Sequence, residues 1–105
     1  MADEHAVIVH LKLGDDRYGS EDERAAVRTL KQTLATAMDD ADAGEFDGNE
    51  FGGGEAVLYA YGPHAGDLFT AMEPALRDSS FRPAYAIVRY GTATDPQCRE
   101  DVIHL

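Results

Sequence analysis

The sequence predicts an α+β domain with the element order β-α-β-β-α-β. Three observations predict it. Apolar residues alternate with other residues in 6–13, and further apolar runs at 55–61 and 81–90 suit strands. Apolar residues recur at spacings of three and four through 21–38 and 65–76, the period of an amphipathic helix. Gly52-Gly53-Gly54 joins two extended segments, and a hairpin turn uses glycine's freedom of φ in that way. At 105 residues a single domain over 1–105 is expected, because domains cluster near ~100–150 residues.

In the first strand Val7, Val9, Leu11 and Leu13 fall on one side and Ile8, His10 and Lys12 on the other. Gly14-Asp15-Asp16 ends it, and a loop runs through Tyr18 and Gly19. Ser20-Glu21-Asp22-Glu23 has the capping-box pattern, with three acids suited to the positive end of a helix dipole. Val27, Leu30, Leu34 and Met38 form the buried stripe of the helix that follows, expected over Glu21 to Met38.

Glu45 to Phe51 is a weak strand, since Asp47, Gly48 and Asn49 are poor β formers, and its charges suit an edge. Glu55 to Tyr61 is a strong, central one. Gly62-Pro63 breaks it, and Ala65, Leu68, Phe69, Met72, Ala75 and Leu76 trace the second helix. Pro74 inside that helix is expected to kink or fray its last turn. Phe81 to Tyr90 is the fourth strand, with Pro83 near its start as an edge strand tolerates. Asp95-Pro96 suits a short helical turn and Val102 to Leu105 a last short strand. This order is the split βαβ of ferredoxin-like folds, a four-stranded antiparallel sheet with two helices on one face.

Composition narrows the function classes. Twenty acidic residues against nine Lys plus Arg give a net charge of −11. Nucleic-acid affinity comes from Lys and Arg displacing phosphate counterions, so that ligand class is not expected. Cys98 is the single cysteine, which leaves no internal disulfide and no Cys-x-x-Cys metal site. Met1-Ala-Asp-Glu-His5 lacks the basic and apolar regions of a signal peptide, and the longest apolar run, Ala56 to Tyr61, is too short for a membrane span. A cytoplasmic protein without membrane partners or cofactors is the expectation.

With helices on one face, the opposite face of the sheet carries Ile8, His10, Lys12, Val57, Tyr59, Tyr61, Tyr85, Ile87 and Arg89. That surface is too apolar and aromatic to stand idle in water. Two explanations stay open: a cover, supplied by Val102 to Leu105 or by a second copy in a homo-oligomer, or a ligand or partner surface. A one-residue slip in the strands would exchange the two faces. The alternate Tyr59 and Tyr61 suggest comparison with RNA-recognition motifs, but their basic and glycine context is missing here.

The charge is uneven along the chain. No Lys or Arg lies between Lys31 and Arg77, while Asp39, Asp40, Asp42, Glu45, Asp47, Glu50 and Glu55 crowd one stretch. These acids are expected to share one rim of the molecule, where they either keep the protein soluble or steer a basic protein partner. Counting Asp39 as position 1 matches an EF-hand loop at Gly44 and Glu50, but Ala41 and Ala43 supply no side-chain oxygen at positions 3 and 5. No metal site follows.

Catalytic constellations are thin. His64-Ala-Gly-Asp67 shares only its His and Asp with the His-Gly-Ser-Asp of nucleoside diphosphate kinases. Gly14 to Gly19 is acidic where acylphosphatases place a phosphate loop. Cys98 has Arg99 beside it but no identifiable oriented base. No residue is assigned a catalytic role.

The stretch Gly44 to Pro63, with Glu73-Pro74-Ala75-Leu76-Arg77 after it, resembles an uncharacterised family of small acidic bacterial proteins. The resemblance implies the ferredoxin-like fold and carries no functional residues. The leading functional expectation is a non-enzymatic binding protein that uses either the acidic rim or the open sheet face, such as an immunity or antitoxin-type inhibitor of a basic protein. A dimeric small-molecule-binding regulatory domain and a cryptic small enzyme are the alternatives.

Overall fold

A computed structural model describes residues 5–14, 20–79, 81, 84–91 and 98–105. In chain order the elements are β1 (His5–Lys12), α1 (Glu21–Asp40), β2 (Glu45–Gly52), β3 (Glu55–Gly62), α2 (Ala65–Asp78), β4 (Ala84–Arg89) and β5 (Glu100–His104). The fold is α+β, with two helices and a five-stranded sheet in the order β2-β3-β1-β4-β5. All neighbouring strands pair antiparallel.

One face of this sheet is the core. Val7, Val9, Leu11, Leu58, Ala86 and Val88 alternate into a single cluster with Val27, Leu30, Leu34 and Met38 of α1 and Leu68, Met72 and Leu76 of α2. α2 lies across β1, β3 and β4, while α1 packs on β2 and against α2. Period-two strands and period-3.6 helices thus meet through one apolar side each, which is the layer arrangement that buries both.

Local chemistry fixes the helix ends. The Ser20 hydroxyl accepts from the Glu23 amide and the Glu23 carboxylate accepts from the Ser20 amide, so the expected capping box forms. The same carboxylate accepts from the Gly14 amide at 2.6 Å, tying the end of β1 to the start of α1. At α2 the cap is supplied from a distance. His64 occupies the N-cap without a side-chain hydrogen bond, and His5 Nδ1 accepts from the Ala65 amide at 3.0 Å. The first strand therefore satisfies a donor that the second helix leaves over.

Three expectations change. α2 does not fray at Pro74: it runs on to Asp78, with the Ser79 amide donating to Ala75 and Leu76 and the Glu73–Arg77 ion pair spanning the turn at 2.8 Å. Pro74 lacks only the N–H that would have reached the Thr70 carbonyl. The strand that follows is not an edge, because β4 lies between β1 and β5; Pro83 is outside the described residues. The sheet has five strands rather than four. Residues 100–104 pair with β4 (Tyr85 with His104, Ile87 with Val102, Arg89 with Glu100) instead of folding over the sheet. The expected turn at Asp95-Pro96 and the loop through Asp15 to Gly19 also lie outside the described residues.

β2 is the edge strand that its composition predicts. A bulge between Phe46 and Gly48 sets Asp47 out of register, and Phe46, Asn49 and Phe51 then face the helices. Asn49 accepts from Lys31 Nζ at 2.8 Å, a polar strut between α1 and the strand. Beyond β2's start the backbone of Ala43-Gly44 lies against that of Tyr61-Gly62, so closely that a Cβ on Gly62 would overlap the Ala43 carbonyl. The expected outcome of Gly62→Ala is a loss of about 1–3 kcal/mol, the usual cost of forced overpacking, read from the midpoint of urea unfolding.

Candidate functional site

The opposite face of the sheet has no described element packed on it. Its side chains can be placed by register. Across the middle of the sheet Tyr59 stands beside Ile8, Ile8 beside Ile87 and Ile87 beside Val102, with Gly48 next to Tyr59 on β2. Four strands therefore contribute to an unbroken apolar stripe, and Val102 at its end is 57% exposed. The other three are half-buried, packed sideways by one another rather than covered from above.

A second row runs Glu50, Val57, His10, Tyr85 and His104. His10 and Tyr85 stack, with ring centroids 4.5 Å apart and planes 7° from parallel, and His104 lies 6.3 Å from Tyr85. His10 Nδ1 is 3.5 Å from a Glu55 carboxylate oxygen. The Tyr59 hydroxyl donates to Glu50 at 3.4 Å. A third row sets Tyr61 and Arg89 on either side of Ala6. Ala6 points to the open side yet is fully buried, a small residue between two long ones. Lys12, paired in register with Glu55, is exposed at the far end.

Every residue expected on this face is thus on it, and the structure adds three. Val102, His104 and Glu100 extend the face on the β5 side, where the sequence reading offered the C-terminal segment as a cover. The alternation of apolar Val102 with His104 was visible, but a five-residue strand can lie beside a sheet or across it with the same pattern.

The acids are strung along one edge rather than gathered at a point. Asp39, Asp40 and Asp42 lie at the exit of α1, Glu45, Asp47 and Glu50 on β2, and Glu55 at the start of β3. Asp39 and Glu45 border one shallow groove of about 370 Å³. Glu55 belongs instead with His10 and Lys12 at the opposite end of the strands.

The α1 exit has a particular construction. The Ala43 amide donates to Met38 and the Asp42 amide to Asp39, with Asp42 itself at φ 50°. That is a Schellman motif whose left-handed position, usually glycine, holds an aspartate. The last turn of α1 contains no basic residue. Asp39, Asp40 and Asp42 therefore stand at the negative end of the helix dipole with no basic side chain in that turn to offset them.

Other chemistry-bearing residues do not converge. Among the described residues no group of three or more His, Cys, Asp or Glu side chains is placed to hold a metal ion. His64 and Asp67 line an open depression of about 300 Å³ together with Asp42 and Thr70. Cys98 is a free, half-buried thiol. Its neighbour Arg99 is engaged elsewhere, 3.0 Å from Asp101 and 5.0 Å from the centre of the Tyr90 ring. No described helix is long and apolar enough to cross a membrane. Comparison with protein families, curated proteins and solved structures finds no match to this chain.

Two measurements check this geometry. Partial desolvation, then the Glu50 charge and hydrogen bond, hold the Tyr59 phenol above its ordinary value. A phenol raised in the folded state binds its proton more tightly there, so its stabilising contribution is present below about pH 10 and is lost as pH rises through the folded value. In Glu50→Gln the Tyr59 titration, followed by ultraviolet difference spectra, moves down. Asp42→Gly relieves both the left-handed strain and one charge against the dipole, and is expected to stabilise the fold by about 1 kcal/mol in urea unfolding.

Proposed function

We propose that this protein is a non-enzymatic binding module whose working surface is the open face of its sheet. The stripe formed by Tyr59, Ile8, Ile87 and Val102 carries this reading. It crosses most of the sheet's width and is flanked by residues that combine apolar rings with polar tips. Contiguous apolar surface of that kind is uncommon on an isolated soluble domain and marks a surface that another molecule covers. Tyrosines add contact area at little cost in side-chain entropy, which suits a recognition face. In the same proposal, β1 to β4 with their helices form a ferredoxin-like core to which β5 adds a strand, and the stretch Gly44 to Pro63, with Glu73 to Arg77, marks a resemblance to small acidic bacterial proteins.

A second reading is favoured by the α1 exit. Strain at Asp42 and three carboxylates at a helix end whose last turn holds no basic residue work against stability. Residues held against local preference are more frequent where function requires them. The acidic edge would then hold a basic protein, as an immunity or antitoxin-type inhibitor does, with an association that weakens as salt rises.

Photo-crosslinking tests the primary reading. A photoreactive residue replacing Ile87 is expected to form protein adducts in cells, whereas the same residue replacing Thr33, exposed on α1, is not. Absence of adducts from position 87, or equal yield from position 33, would contradict a binding role for this face.

A further inference from the structure

We infer that the occupant of the open face is a second copy of this chain, seated sheet against sheet about a two-fold axis running along β1. This rests on the reading of that face as a binding surface and names its partner. The layout of charge over the face sets the axis.

The chain carries a net charge of −11, so two copies repel in most orientations. On the open face that repulsion is partly relieved. Its central stripe is uncharged, and Lys12 and Arg89 offset part of its acid. The two halves of the face also differ. The β2–β3 half carries Glu45, Glu50 and Glu55 and no base. The β4–β5 half carries Arg89 and His104 against Glu100.

A sheet face can meet its own copy about a two-fold axis lying across the strands or along them. An axis across the strands sets the acidic half over the acidic half of the other copy. An axis along β1 sets the acidic half over the half that holds Arg89 and His104. The second choice removes the largest like-charge confrontation. It also seats Tyr59 over Ile87 of the other copy and Ile8 over its own counterpart. Tyr61 comes to face Arg89, a cation over an aromatic ring, and Glu50 faces His104. The like pairs it leaves are Glu45 with Glu100, at a corner where both side chains are exposed to water, and Lys12 with its own counterpart, each beside a Glu55 of the neighbouring strand. Two twisted sheets pack in this aligned manner about 10 Å apart, with strands within ~30° of parallel.

Sedimentation velocity on the full chain tests the inference. A dimer whose population rises with protein concentration is expected. Its dissociation constant should fall as salt rises from about 10 to about 150 mM, which shortens the Debye length from about 30 to about 8 Å and screens the mutual repulsion. Ile87→Asp is expected to raise that constant at least tenfold, as roughly a hot-spot loss requires, with an unchanged circular dichroism spectrum. Thr33→Asp serves as the control on the far side of the molecule. Should Ile87→Asp fail to fold, orientation gives an independent reading. In a Cys98→Ser background, Tyr59→Cys chains mixed with Ile87→Cys chains are expected to join through a short bismaleimide as the mixed pair. A Tyr59-to-Tyr59 adduct would instead place the axis across the strands and overturn the proposed geometry. A chain that stays monomeric at every concentration and salt would overturn the second copy as partner. Adducts from position 87 to a different protein would then leave the binding surface standing with another occupant.

Discussion

The structure depends on a core with only one side. Two helices, each apolar along one stripe, cover one face of the sheet with Leu30, Leu34, Met38, Leu68, Met72 and Leu76, and no described element covers the other. A strand presents side chains to both faces whether or not both are wanted. Each central strand of this protein is apolar on both, so sealing one side leaves Ile8, Val57, Tyr59, Tyr85 and Ile87 on the other.

β5 enlarges that apolar surface. Had residues 100–104 folded over the sheet, the protein would have a closed second layer and little to offer a partner. Pairing with β4 lets the strand satisfy its backbone donors and acceptors in a ladder, and the cost is one more exposed apolar residue, Val102. The ladder extends past the strand ends, where the Tyr90 amide donates to Arg99 and the Leu105 amide to Ala84. Meanwhile Ile103 and Leu105 pack on the core side. The segment is anchored from below and bare above.

Much of this was legible in the residues. The face assignment from strand alternation placed Val7, Val9, Leu11, Leu58, Ala86 and Val88 inward, and all are buried. The Ser20 cap follows from four consecutive residues. What escaped the sequence depended on contacts between distant positions. His5 capping α2 joins residues sixty apart. Asn49, a poor β former by type, has its place through Lys31. Pro74 was expected to weaken the helix end, but packing of Met72 and Leu76 on the sheet holds the last turn. The acidic stretch was legible as a cluster in sequence, whereas in space an eight-residue strand draws it out along an edge and sends Glu55 to join His10.

A binding role requires this face to be bare in the isolated chain and shielded when its partner is present. Paramagnetic relaxation from a soluble nitroxide, read at the methyl groups of Ile8, Ile87 and Val102, measures that directly, with buried Val88 as the reference. The account predicts strong relaxation at these methyl groups in dilute protein and its selective loss as concentration rises. Methyl groups as protected as those of Val88 at every dilution would mean that the chain covers its own face, and would contradict it.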